Sequence, residues 1–260
     1  MREQQTLKPF DFSDATAVVL GGATGLGRAM AEGLVAHGAT VCIVSRSADK
    51  AKAAADAIGS QCGGRCWPCA ADVASEVSIE RLRDTLRERF AGRVNIAINS
   101  AGINTRNPVE KIALEEWESI QRVNVTGAFL FAKAMFPLLK HAGWGRLINI
   151  TSIFASRSFP GRTSYASSKG ALLQLTKTLA IEWAEQGITA NAISPGPFLT
   201  DMTRPVLDNP EAYRRFCEHV PMKRFAEPSE LITACLFLAS RGSTFVTGAE
   251  VVVDGGWLVT

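Results

Sequence analysis

Tyr165 and Lys169 stand four residues apart in Tyr-Ala-Ser-Ser-Lys, and Ser152 closes an apolar run upstream. On a helix, residues at that spacing share a face, so the ammonium can sit beneath the phenol. An unperturbed tyrosine, with a pKa of about 10, is a poor base near neutrality. A nearby cation can lower that value by roughly one to three pH units. A serine hydroxyl beside the phenol can donate a hydrogen bond to a carbonyl oxygen as negative charge develops on it. Together the three groups could move a proton on or off an alcohol or carbonyl oxygen, with Tyr165 as general acid or base. Tyr-x3-Lys alone arises often by chance, so its company decides.

That company begins at Gly21-Gly-Ala-Thr24-Gly25-Leu26-Gly27, which follows one apolar run and opens a helix-period segment. Glycines at this spacing allow a tight turn and bring a pyrophosphate close to a helix N-terminus, whose free N–H groups favour anions. The plainer reading is a simple turn, but its place after a first strand points to a dinucleotide. The second apolar run ends in Ser45-Arg46. A carboxylate there would bind the ribose 2′-hydroxyl of NAD, whereas a guanidinium pairs with a 2′-phosphate. NADP(H) is therefore favoured over NAD(H), against the plainer reading of Arg46 as a solvated strand end. A bound nicotinamide's positive charge would further ease deprotonation of Tyr165 in the oxidative direction.

The elements that must position these groups are legible as alternation. Short β-branched runs at 15–20, 40–45, 65–70, 94–98, 146–151, 189–194 and 250–254 are strand candidates. Helix-period segments at 26–37, 48–58, 76–90, 114–141, 163–186 and 228–239 separate them. Ser47, Ser75 and Pro228 give starts; Gly38, Gly143 and Gly187 give stops. The expected fold is α/β, a Rossmann-type doubly wound parallel sheet of about seven strands with helices on both faces. Ligands then bind at the carboxyl ends of the strands. No repeat or linker divides the chain, so residues 1–260 read as one dinucleotide-binding oxidoreductase domain. Residues 195–221 carry five of the prolines, too many for one long helix, and read as a substrate lid over the strand ends. The alternative is an ordinary surface excursion.

Composition removes other classes. The net charge is +3 and the basic residues are scattered, which gives nucleic-acid binding no support. No apolar run is long enough to span a membrane, and the first twelve residues lack the apolar centre of a signal peptide. A cytoplasmic protein with reduced thiols is expected. Cys62, Cys66 and Cys69 form C-x3-C-x2-C, a spacing that can hold an iron–sulfur cluster. The plainer reading is a glycine-rich loop entering a strand, with Cys69 buried as a small apolar residue. His37, His141 and His219 lie far apart without metal-ligand spacing, so no metal is expected.

From about Ser13 to Thr260 the chain resembles the short-chain dehydrogenase/reductase family in its compact form. The resemblance rests on Gly21-x3-Gly25-x-Gly27, Asp72-Val73, Asn99-Ser-Ala-Gly102, Asn124 in Val-Asn-Val-Thr-Gly, Ser152, Tyr165-x3-Lys169 and Pro195-Gly196, in the family's order and spacing. It implies a tetrad in which Asn124, holding a water near Lys169, joins Ser152, Tyr165 and Lys169. It also implies that Asp72 and Val73 contact adenine and that Asn99, Ala101 and Gly102 line the middle of the cofactor path. Pro195, Gly196, Leu199 and Thr200 would hold the nicotinamide, and Lys169 would bond its ribose. The hydride is expected on the nicotinamide's B face. Two positions depart from the pattern: Leu20 replaces the usual Thr, and Ser100 the second Asn. Both bear on local stability rather than on the reacting atoms.

Substrate residues are sought around the strand ends. Arg106, Phe154, Arg157, Phe198 and Met202 are the candidates, with Asn104, Phe159 and Arg204 beside them. Arg106 could pair with a carboxylate bidentately, or face solvent or a neighbouring subunit. Gly-Ile-Asn-Thr-Arg-Asn-Pro and Pro-Met-Lys-Arg-Phe-Ala-Glu-Pro resemble the gluconate 5-dehydrogenase-like branch, which implies a sugar acid or small polyol. A 3-oxoacyl-thioester reductase, partnered by an acidic carrier protein, is the alternative enzyme. A dinucleotide-binding regulator without catalysis is the third reading, opposed by the intact tetrad. The resemblance also implies a homotetramer, built on segments 114–141 and 163–186 and on the tail Val251–Trp257.

Overall fold

A computed structural model describes residues 10–260; the polar first nine residues, on which part of the leader reading falls, lie outside the described residues. Seven strands form one parallel sheet in the order β3-β2-β1-β4-β5-β6-β7. They are β1 Thr16–Leu20, β2 Thr40–Ser45, β3 Cys66–Ala70, β4 Ile96–Asn99, β5 Gly145–Ile150, β6 Ile188–Pro195 and β7 Glu250–Val253. The expected strands are all present, with ends displaced by at most two residues. The order reverses between β1 and β4, which opens a crevice at their carboxyl ends.

Both faces of the central strands are covered, as continuous apolar runs require. Ala17 and Val19 face a core shared with α1 Gly25–Ala36, α2 Ala48–Cys62 and, near the chain's end, the helix Ile232–Ala239. Val18 and Leu20 face the opposite core, shared with α3 Glu76–Arg89 and the helices Gly127–His141 and Thr163–Trp183. β3 is an edge strand, so Pro68 is tolerated in it, and Trp67 is exposed with the Arg89 guanidinium 3.5 Å above its ring. The edge also corrects one expectation: Cys69 is only half-buried, because no further strand covers its outer side.

Helix ends follow local chemistry. Ser47 accepts a bond from the Lys50 N–H, and Ser75 one from the Ser78 N–H. α2 runs four residues beyond its expected end, to Cys62, and stops where Gly63 takes φ 64°. The expected helix over 114–141 is interrupted. It comprises α4 Leu114–Gln121, a π-helical turn Arg122–Thr126 and α5 Gly127–His141. α6 Thr163–Trp183 carries Tyr165 and Lys169. Segment 195–221 contains two short helices the prolines had hidden, α7 Arg204–Leu207 and α8 Pro210–Glu218, each starting on proline at its first or second position. α9 Ile232–Ala239 follows a 3-10 turn that starts at Pro228. Among the described residues no helix is long and apolar enough to cross a membrane.

Candidate active site

One cavity of about 360 Å³ lies along the carboxyl ends of the strands. At one end it is walled by Gly21, Thr24, Gly25 and Leu26, then by Ser45, Arg46, Asp72 and Val73. Ala101 and Gly102 line its middle; Ser152, Tyr165, Lys169, Pro195, Gly196 and Thr200 surround its deep end. The glycine turn is built for close packing. A Cβ on Gly27 would lie 2.2 Å from the Gly21 carbonyl oxygen, and one on Gly21 would lie 2.9 Å from the Ala101 nitrogen. Thr24, the residue before α1, makes no side-chain cap, and no acid occupies the helix's first turn. An uncapped N-terminus on a cavity wall fits a pyrophosphate, so the residues present fit a dinucleotide.

The phenol of Tyr165 is buried beside Ser152, whose hydroxyl hydrogen-bonds it. The Ser152 oxygen also accepts from the Phe154 N–H at 3.2 Å, which fixes its rotamer. Lys169 stands 5.6 Å from the Tyr165 ring centre and donates to the Ile150 carbonyl at 2.7 Å. Burial lowers its pKa from 10.5 to about 8. Asn124 sits in the π-helical turn and lies behind the wall rather than on it. It accepts from the Ile103 N–H at 2.9 Å, and donates to the Ile103 carbonyl at 3.0 Å and to Ser168 at 2.9 Å. Ser168 in turn donates to the Tyr165 carbonyl at 2.7 Å. A π turn widens the helix by one residue, which places an amide side chain where a regular helix would hold it away.

One electrostatic expectation is corrected. Within the protein's own groups, burial raises the Tyr165 pKa above its ordinary value; the Ser152 hydrogen bond and then a positive charge pull it back. That charge belongs to Arg162. Arg162 was missed in the sequence. The signal that could have found it is its place three residues before Tyr165, on the same helical face.

The remaining expected residues divide. Asn104, Arg106, Phe154, Phe198 and Met202 line the cavity. Gly27 lies behind the glycine turn, and Asn99 lies beneath the floor, donating to the Asn149 side chain at 3.2 Å. Leu199 and Arg204 face a separate shallow cleft beside Arg28 and Glu32. Arg157 does not reach the cavity: its guanidinium donates to the Thr260 carbonyl, so its candidacy for the substrate fails. Phe159 likewise packs outside, against Phe216, His219 and Trp257. Walls contributed by Phe216 and Val206 came from the segment without regular pattern, where spacing carries little information, and Phe225 lies just beyond it. Cys62 ends α2, while Cys66 and Cys69 lie on β3, away from this cavity.

Comparison with known proteins agrees with this geometry. A family model described as enoyl-(acyl carrier protein) reductase, adh_short_C2, matches residues 21–258. The chain is 33% identical to D-threitol dehydrogenase of Mycolicibacterium smegmatis over 98% of both chains. It is 33% identical to a 3-oxoacyl-(acyl-carrier-protein) reductase of Aquifex aeolicus, over 92% of this chain and 96% of that one. The crystal structure of a gluconate 5-dehydrogenase from Burkholderia cenocepacia, in complex with NADP and tartrate, superposes with a TM-score of 0.93 at 32% identity. That match covers 97% of this chain and 98% of the other. Fold, cleft and relatives converge on a nicotinamide-dependent oxidoreductase of alcohol and ketone groups, and the chain belongs to the short-chain dehydrogenase/reductase family.

Proposed function

We propose that the protein interconverts a secondary alcohol and a ketone on a sugar acid or small polyol, with NADP(H) preferred to NAD(H). The observation that carries this reading is the placing of Tyr165 against Ser152, with Lys169 behind, at the end of the cavity that begins at the uncapped α1 terminus. Bound nicotinamide supplies or accepts the hydride at the reacting carbon. In the reductive direction Ser152 donates a hydrogen bond to the carbonyl oxygen, and Tyr165 gives that oxygen its proton. Lys169 positions the phenol and the cofactor ribose, and Asn124 holds the loop at Ile103 beside it. In oxidation the proton returns to Tyr165. Segment 195–221 is read as the lid, since Phe198, Met202, Val206 and Phe216 from it face the cavity. Residues 1–260 act as one unit, in a homotetramer, in the cytoplasm; the six free cysteines fit a reducing compartment.

The NADP(H) preference rests on Arg46, which lines the cavity beyond Ser45 where no carboxylate stands. Calorimetry with NADPH and NADH tests it: the parent should bind NADPH at least tenfold more tightly, and Arg46→Ala should remove that margin. Equal affinities in both proteins would make Arg46 a bystander. The Aquifex relative supports a second reading, a 3-oxoacyl-thioester reductase. Oxidation of NADPH by acetoacetyl-coenzyme A faster than by any keto sugar acid would favour it. Turnover of either class excludes a non-catalytic regulator.

A further inference from the structure

Arg162 is buried, with 6% of its surface exposed, yet its guanidinium lines the cavity. Among the described residues no carboxylate lies within 4 Å of it, unlike Arg28, Arg83 or Arg224, each of which has an acidic partner. Its side chain makes one long hydrogen bond, 3.4 Å to the Asn104 oxygen, and its guanidinium carbon sits 5.4 Å from the centre of the Phe154 ring. Five N–H donors are therefore served by a single weak acceptor. A buried cation without an anion is costly, and natural structures pair such groups with a charge.

The surroundings add positive charge instead of cancelling it. Arg106 lines the same cavity and spends one donor on the Met202 carbonyl at 3.0 Å. It is close enough for the two guanidiniums to repel, which with burial brings the Arg162 pKa to about 10. Arg162 also stands at the start of α6, whose first turn has no acid and no side-chain cap. The acids on the cavity wall are elsewhere. Asp72 accepts from the Ala74 N–H near the adenine end, and Asp201, 81% exposed, lies 4.0 Å from Arg204. Arg162 immediately precedes α6, and its charge acts on the Tyr165 phenol, so an anion held by Arg162 would lie near that phenol.

We propose that Arg162, assisted by Arg106, is the specificity-determining anchor for a carboxylate on the substrate, so that the site takes hydroxy and keto acids in preference to neutral polyols. The inference rests on the oxidoreductase reading and narrows its substrate class. A guanidinium presents two parallel donors to a carboxylate, and aromatic walls such as Phe154 exclude the water that would weaken the pair. A neutral polyol would leave those donors unmatched, which is the stronger source of discrimination.

The test uses the NADPH-loaded protein and two matched pairs, D-gluconate with D-glucitol and D-tartrate with D-threitol, each pair differing at carboxylate positions. Calorimetry on the parent should show one carboxylate binding at least tenfold more tightly than its neutral partner. Arg162→Gln should weaken that carboxylate by about 30- to 100-fold, a loss in the range found for unpairing a buried charge, and leave the neutral compound within threefold. Arg162→Lys should recover part of the loss, and NADPH affinity should not change, which shows that the variants remain folded. Equal binding within both pairs by the parent, or equal weakening of both members by Arg162→Gln, overturns the proposal. NADPH oxidation measured in the same preparations separates the two readings. Carboxylate binding without turnover of any keto acid or ketone sinks the oxidoreductase reading and leaves the anchor. Turnover that prefers neutral ketones sinks the anchor alone.

Discussion

Lys169 illustrates how a single residue is held against its own preference. Its ammonium is buried, and the Ile150 carbonyl is the hydrogen-bond acceptor that stabilises it. With a folded pKa of about 8 against an ordinary 10.5, the folded state binds fewer protons than the unfolded chain between those values. Stability from this residue therefore rises with pH across that window, and its cost is fully present below about 8. At about 1.4 kcal/mol for each tenfold change in proton affinity, the cost is at most about 3.5 kcal/mol. Urea unfolding of the parent and of Lys169→Met at pH 7 and pH 9.5 should show the difference moving in the parent's favour at the higher pH. A difference independent of pH would mean that Lys169 keeps its ordinary pKa in the fold, with its burial offset by its partners. Turnover at pH 7 should fall by about 10²-fold or more in the variant, the size of a lost acid–base contribution. Tyr165 bears a related cost, because burial raises its pKa while Ser152 and Arg162 oppose the rise.

At the scale of elements, the π turn Arg122–Thr126 matters more than the length of the helix around it. Regular periodicity predicted one helix from 114 to 141, and most of its apolar positions are buried as that pattern requires. The inserted residue in the turn lets Asn124 clamp both polar groups of Ile103, at the loop that leaves β4. Asn124→Ala would leave that N–H and carbonyl without their partner. Stability should fall by about 2–6 kcal/mol, from two part-buried backbone groups at about 1–3 kcal/mol each. Hydrogen exchange at Ile103 should rise more than exchange in β1 or β5. A loss spread evenly over the fold, or no loss, would show that Asn124 does not hold this loop. The glycine turn is constrained more simply: a Cβ on Gly27 would lie 2.2 Å from the Gly21 carbonyl oxygen, so no side chain fits.

For the whole molecule, the surface still carries apolar side chains that the fold leaves uncovered. Phe129 on α5 is 49% exposed, Ile181 on α6 is 81% exposed, and Val252 on β7 is 41% exposed. These are the elements on which the expected subunit contacts fall. Trp257 is different: it is buried against Phe154 and Phe216 of its own chain, two residues that line the cavity. Sedimentation should give four times the 27.9 kDa chain mass, and Ile181→Lys with Phe129→Lys should lower it. A parent that sediments at the chain mass would refute the tetramer.

The sequence by itself determined the elements and their class, because hydrophobic period and turn chemistry are local. Strands and helices alternate with distinct periods, and the serine caps act within three residues of themselves. It also singled out Ser152, Tyr165 and Lys169 by type and spacing, and the fold brings the three to one cavity. Tertiary structure decided what depends on residues distant in the chain. Arg157 is drawn to Thr260 and does not line the cavity, while Arg162 lines it together with Arg106. The sign of the Tyr165 shift followed from burial in the folded chain, which no spacing encodes. Strand order likewise made β3 an edge and left Cys69 half-covered. Local pattern reports which face of an element is apolar; only packing reports which charged groups share a cavity and how much water remains between them.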